Sequence, residues 1–154
     1  MTFSIIARCH KTGQFGGAIS SSSPAVAARC IQARAGVGVA TSQNITDPHL
    51  ANILLDMIKY DLAPEESIVE LVKNTEFIEY RQLSVINSDE KPAAFSGKNT
   101  LGVYSQCIGE HAVGAGNLLA NETIPKVMVD VFHQAEGSLA ERLLSALQAG
   151  LAAG

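Results

Sequence analysis

Tryptophan is absent from this sequence of 154 residues, and aromatic side chains make up only 5% of it. Its core therefore cannot rest on large rings. With 47% hydrophobic residues and 13 glycines, it has to close around small aliphatic side chains. Charge is sparse as well: 11 Lys and Arg stand against 15 Asp and Glu, a formal balance of −4. No basic stripe runs through the chain, so capture of nucleic acid or an anionic membrane surface is not expected. No apolar run approaches the ~18 residues of a membrane span. Residues 1–11 lack the basic segment and apolar centre of a secretory signal. The three cysteines, Cys9, Cys30 and Cys107, form an odd and unspaced set. That pattern predicts reduced thiols in a cytoplasmic protein.

Metal and nucleotide signatures are missing too. His10, His49, His111 and His133 stand in no ligand spacing, and the neighbours Cys9 and His10 would point to opposite faces of a strand. Gly36-x-Gly38 and Gly114-x-Gly116 lack the third glycine of a dinucleotide loop, and no Walker lysine follows a glycine run. Neither metal nor cofactor is therefore expected.

What remains alternates between strand and helix in blocks. Phe3–Arg8 and Phe15–Ile19, joined by a turn at His10–Gly13, predict a hairpin. A small-residue strand is expected over Ala35–Thr41, whereas Pro24–Arg34 reads equally as short helix or loop. Asp47-Pro48 starts a helix with Leu50, Ile53, Leu54, Met57 and Ile58 on one face. Pro64-Glu65-Glu66 opens a second, burying Ile68, Leu71 and Val72. Strands are expected again at Gln82–Asn87 and Pro92–Phe95, joined by the polar turn Ser88–Lys91, then at Leu101–Cys107 and His111–Ala115. Asn121 is read as the cap of a helix burying Ile124, Val127, Met128, Val131, Phe132 and Ala135. Ser138-x-x-Glu141 is a capping box for a last helix with Leu139, Leu143, Leu147 and Leu151 inward. The blocks predict one α+β domain over residues 1–154, with antiparallel sheets held between helix layers.

Several polar residues are candidates for chemistry. Thr2 begins a strand directly after Met1. A hydroxyl at a free chain start can use its own α-amino group as base, so one residue supplies nucleophile and proton acceptor. Ser20 and Ser21 close the second strand, Thr41 and Gln43 the third, and Asn117 a later one. Such positions serve equally as binding-site walls and as turn chemistry. Arg8, Arg29, Arg34 and Arg81 lie in or beside apolar runs, where each is either paired internally or able to clamp a carboxylate. A thiol nucleophile at Cys30, beside Arg29, is a further candidate.

Taken in order, Met1–Arg8, Gly16–Ser22 and Ala33–Asn44 resemble the family DUF1028. Tyr80–Val85, Ala94–Gly97, Gly116–Leu119 and Leu139–Leu144 continue the resemblance along essentially the whole chain. It implies the fold of N-terminal-nucleophile (Ntn) hydrolases, a four-layer α/β/β/α sandwich of antiparallel sheets, with further C-terminal strands absent from this chain. It also implies cleavage of an amide, cyclic amide or peptide-like bond of a small metabolite. The nucleophile would be Thr2, or a residue following Gly154 on a second chain if autoproteolysis makes residues 1–154 an N-terminal subunit. Ser20, Ser21, Thr41, Gln43 and Asn117 are the expected substrate contacts and Arg34 or Arg81 the carboxylate anchor, in a homo-oligomer. The alternative is a non-catalytic ligand-binding or assembly protein on the same fold.

Overall fold

In a computed structural model, which describes residues 1–89 and 91–154, the chain folds as α+β with two antiparallel four-stranded sheets and five helices. The strands are β1 (Thr2–Arg8), β2 (Phe15–Ser21), β3 (Ile31–Arg34), β4 (Gly38–Asn44), β5 (Arg81–Ile86), β6 (Ala93–Ser96), β7 (Ser105–Ile108) and β8 (Ala112–Asn117). The helices are α1 (Val26–Cys30), α2 (Pro48–Lys59), α3 (Pro64–Asn74), α4 (Ile124–Gln134) and α5 (Leu139–Ala152). One sheet runs β2-β1-β8-β7 and the other β3-β4-β5-β6.

Strand alternation decides where each sheet buries its side chains. Phe3, Ile5 and Ala7 of β1 pack with Met128, Phe132, Leu139 and Leu143 of α4 and α5. Ala40, Leu83 and Val85 pack with Leu50, Leu54, Leu55, Ile68 and Leu71 of α2 and α3. The residues between them in sequence, Ile6, Val39, Ile86 and Val113, form a third cluster drawn from both sheets. The sheets thus meet face to face, and each carries a helix pair on its outer side.

The expected caps are largely present. Asp47 Oδ1 accepts the N–H of His49 at 3.0 Å at the start of α2. Ser138 and Glu141 close a reciprocal box on α5, in which the backbone N–H and hydroxyl of Ser138 hold the Glu141 carboxyl below the ordinary range. Replacing Ser138 by Ala removes the acceptor for the Glu141 N–H and should cost about 1 kcal/mol in urea unfolding. At α4 the expectation is corrected. Thr123 is the N-cap residue and makes no side-chain cap; Asn121 instead folds back on the Thr123 N–H and hydroxyl as a local turn.

Other differences have local causes. Gly36, at φ +71°, turns the chain so that the strand expected from Ala35 begins at Gly38 and runs on to Asn44. Ser42, Gln43 and Asn44 therefore lie within β4. Pro24–Arg34 supplies both α1 and β3. Of the strand expected over Leu101–Cys107, only Ser105 onward pairs, because Gly102 adopts φ +63°. Ile53 and Leu151 are exposed rather than inward. The buried stripe of α5 is Leu139, Leu143, Ala146 and Gly150, since Gly150 lies so close to Met128 that a Cβ would stand 2.8 Å from its sulfur. The turn expected over Ser88–Lys91 contains Glu90, which lies outside the described residues.

Candidate functional site

The layer between the sheets changes character along the strands. On β1 its residues run Ile6, Ser4, Thr2, and on β8 Val113, Ala115, Asn117, paired rung by rung. On β4 they run Val39, Thr41, Gln43, and on β5 Ile86, Ser84, Gln82, again paired rung by rung. The first rung is branched and aliphatic, the second small, and the third hydroxyl and carboxamide. One end of the layer is a dry core and the other a polar cluster.

Gln82 is the hub of that cluster. Its Oε1 accepts from Gln43 Nε2 at 3.1 Å and from Asn117 Nδ2 at 2.9 Å. Its Nε2 donates to Ser96 Oγ and to the Gly116 carbonyl, both at 3.0 Å. All four of its side-chain hydrogen-bonding positions are filled. Ser4 Oγ donates to Gln43 Oε1 at 2.7 Å, and Ser96 Oγ to Gln106 Oε1 at 2.8 Å, so the network joins both sheets at their centre and at their edge. Among the described residues, Asn117 keeps a second N–H and its carbonyl oxygen without a protein partner. The Thr41 hydroxyl is buried with no partner at all. Orphaned groups of this kind mark places where a water or ligand atom belongs.

Thr2 stands at the open end, between Ser21 on β2 and Asn117 on β8. Its hydroxyl lies 2.9 Å from Ser21 Oγ, which also accepts the Ser23 N–H. No inward-facing group of the second or third rung ionises near neutral pH, so the cluster is polar yet uncharged.

A short strap crosses this end. Leu101 N–H donates to Asn44 Oδ1, while the Leu101 and Val103 carbonyls accept from Leu118 and Leu119. The strap thus ties the end of β4 to the end of β8. Asn44 and Leu118 both sit in the left-handed region, at φ +74° and +52°, and Gly102 packs on Leu118 with no room for a Cβ. A leucine held there is strained, and such strain gathers at functional sites.

Of the residues expected to form the site, the structure brings together Thr2, Ser21, Gln43 and Asn117, with Thr41 one rung deeper on the same face. Ser20 pairs with Phe3 and therefore lies on the opposite, helix-facing side of its sheet. Arg34 sits at the far end of its sheet, ion-paired with Asp56 at 2.5 Å, beside a cleft of about 710 Å³ lined by Phe15, Leu139 and Leu143. Arg81 shares the face of Leu83 and Val85, away from the cluster, and donates to the Ile45 carbonyl. Neither arginine is placed to hold a carboxylate at the polar rung. Ser4, Gln82 and Ser96 are the residues that sequence reasoning missed. The signal was available: four segments share a period-two descent from aliphatic to polar side chains.

The thiols lie elsewhere. Cys30 is 1% exposed, with its sulfur 3.6 Å from Thr46 Oγ1, while Arg29 donates away from it to Ser23 and the Pro24 carbonyl. Cys30 should therefore resist iodoacetamide in the folded protein and react only on unfolding, as peptide mass mapping would read out. The Thr12 hydroxyl holds the Cys9 thiol below its ordinary value, and burial, then Asp130, push Cys107 up. Among the described residues no group of three His, Cys, Asp or Glu gathers to hold a metal, and no helix is long and apolar enough to cross a membrane.

The family model for DUF1028, a family of unknown function, matches residues 2–154, and the chain belongs to that family. It is similar to SPO2555 from Silicibacter pomeroyi, a protein of the same family known from a crystal structure, with 25% identity and a TM-score of 0.94. That likeness covers 99% of this chain and 71% of the other. No curated protein matches.

Proposed function

We propose that this chain is an amidohydrolase of the Ntn type, with Thr2 as nucleophile once Met1 has been removed. The observation that carries the reading is the place of Thr2: first residue of an inner strand, on the face turned to the other sheet, beside the unsatisfied Asn117 amide. Two facing sheets with a helix pair outside each are compatible with the Ntn four-layer sandwich. In the reaction, Thr2 Oγ1 attacks the amide carbon while its proton passes to the Thr2 α-amine. The free N–H of Asn117 is available to the oxyanion, and the Thr41 hydroxyl is a second candidate donor. Collapse breaks the C–N bond as the ammonium returns the proton to the leaving amine, and water then hydrolyses the ester.

The test combines intact mass, to establish loss of Met1, with amine release from an amide panel by wild type and Thr2→Ala. Turnover that survives Thr2→Ala overturns the proposal. A second reading, a binding protein without turnover, is favoured by the four internal bonds of Gln82, which make the network complete as pure structure. It predicts that amides bind the processed protein and are never cleaved.

A further inference from the structure

We infer that Gln82 is a positioning residue for this site: templated by the Gly116 carbonyl, it fixes which way the Asn117 carboxamide faces and so holds Asn117 as a donor beside Thr2. What the donor serves rests on the hydrolase reading; which way it faces does not. The oxygen and nitrogen of a carboxamide fill nearly the same space, so an isolated Asn side chain can turn over. This one cannot. The Gly116 carbonyl only accepts, so the Gln82 atom 3.0 Å from it has to be nitrogen. The Gln82 oxygen then faces Gln43 and Asn117, at 3.1 and 2.9 Å, and both must meet it with N–H. Gln43 in turn presents its oxygen to the Ser4 hydroxyl.

The same polarity runs outward. Ser96 accepts from Gln82 and gives its own proton to Gln106 Oε1, and Gln106 Nε2 reaches a second fixed acceptor, the Ala94 carbonyl, at 3.4 Å. Donors from Ser4 to Gln106 all point one way, so each bond polarises the next. An Asn117 amide turned over alone would lose a buried hydrogen bond and set two oxygens against each other with no proton between them. Gln82 is fully buried with its bonds all internal, so it reaches a substrate only through Asn117. Asn117 pairs with Thr2 across the strands, so the held donor stands beside the reacting residue with its orientation set before an oxyanion forms.

Two variants of the full chain lacking Met1 separate this role from a purely structural one. Gln82→Glu, protonated or not, keeps an oxygen toward Asn117 and Gln43, whereas Gln82→Met keeps the bulk and offers neither donor nor acceptor. Both should unfold at lower urea. Ammonia release from acetamide, L-asparagine and L-glutamine should nonetheless fall by about tenfold or more in kcat, at unchanged KM, in Gln82→Met alone. The orientation is read without turnover. The Asn117 and Gln43 protons that share Gln82 Oε1 each lie about 2 Å from it, so they stand within about 4 Å of each other and should give a nuclear Overhauser effect. That contact should persist in Gln82→Glu and vanish in Gln82→Met. Its absence from wild type, or its survival in Gln82→Met, overturns the inference. So does a kcat equal in wild type and Gln82→Met, or lowered alike in both variants. If Gln82→Met does not fold, the wild-type contact and the Gln82→Glu rate decide. A wild type that shows the contact but turns over none of the amides leaves the orientation standing and counts against the hydrolase reading alone.

Discussion

Replacing Gln82 by Leu should destabilise the protein by about 3–5 kcal/mol, the largest loss of stability expected from any polar residue here. Leucine fills a similar volume but satisfies nothing. The N–H groups that Gln43 and Asn117 direct at Gln82 Oε1, and the Gly116 carbonyl that accepts from its Nε2, would all be stranded away from water. Each buried orphan costs about 1–3 kcal/mol, and partial relaxation keeps the sum below simple addition. Urea unfolding should show a lower midpoint at unchanged slope. Ser96→Ala removes a single hydroxyl at the edge of the same network and should cost only about 1 kcal/mol. A Gln82→Leu variant as stable as wild type would mean that the network joins the sheets in form but contributes nothing to holding them.

The second large effect concerns rate. Thr2→Ala, made in protein whose Met1 is removed, should lower kcat by at least about 10³-fold with little change in KM, because the hydroxyl forms its bond only as the reaction proceeds. Thr2→Ser keeps an oxygen nucleophile and should retain measurable activity. The pH profile adds a sign. The α-amine accepts the proton only when neutral, so the rate should fall as pH drops below its reference value of about 8. Activity that stays flat through that window would point to another base.

Much of the architecture is written in short-range pattern. The hairpin of β1 and β2, the Asp47-Pro48 start of α2 and the capping box of α5 each follow from chemistry within a few residues. The errors also have physical sources. Gly36 and Gly102 take left-handed conformations that move strand boundaries, and periodicity carries no record of them. Leu151 continues a leucine spacing that the helix abandons because Gly150 must slide past Met128. At the site, Thr2, Gln43 and Asn117 stand out as polar residues at strand ends. Gln82 does not, because a single glutamine opening an apolar strand resembles ordinary edge chemistry. Its role appears only when the register places it across from Gln43 and beneath Asn117. The arginines mislead for the same reason, since sequence gives their apolar company and not which side of the sheet they occupy.

The descent from aliphatic to polar rungs gives the two ends of the layer different ways of cohering. Ile6, Val39, Ile86 and Val113 hold one end by non-directional contact, which tolerates exchanges among aliphatic side chains of similar volume. Gln43, Gln82 and Asn117 hold the other by directional bonds, so a new chemistry at that end has to be introduced at several strand-end positions together.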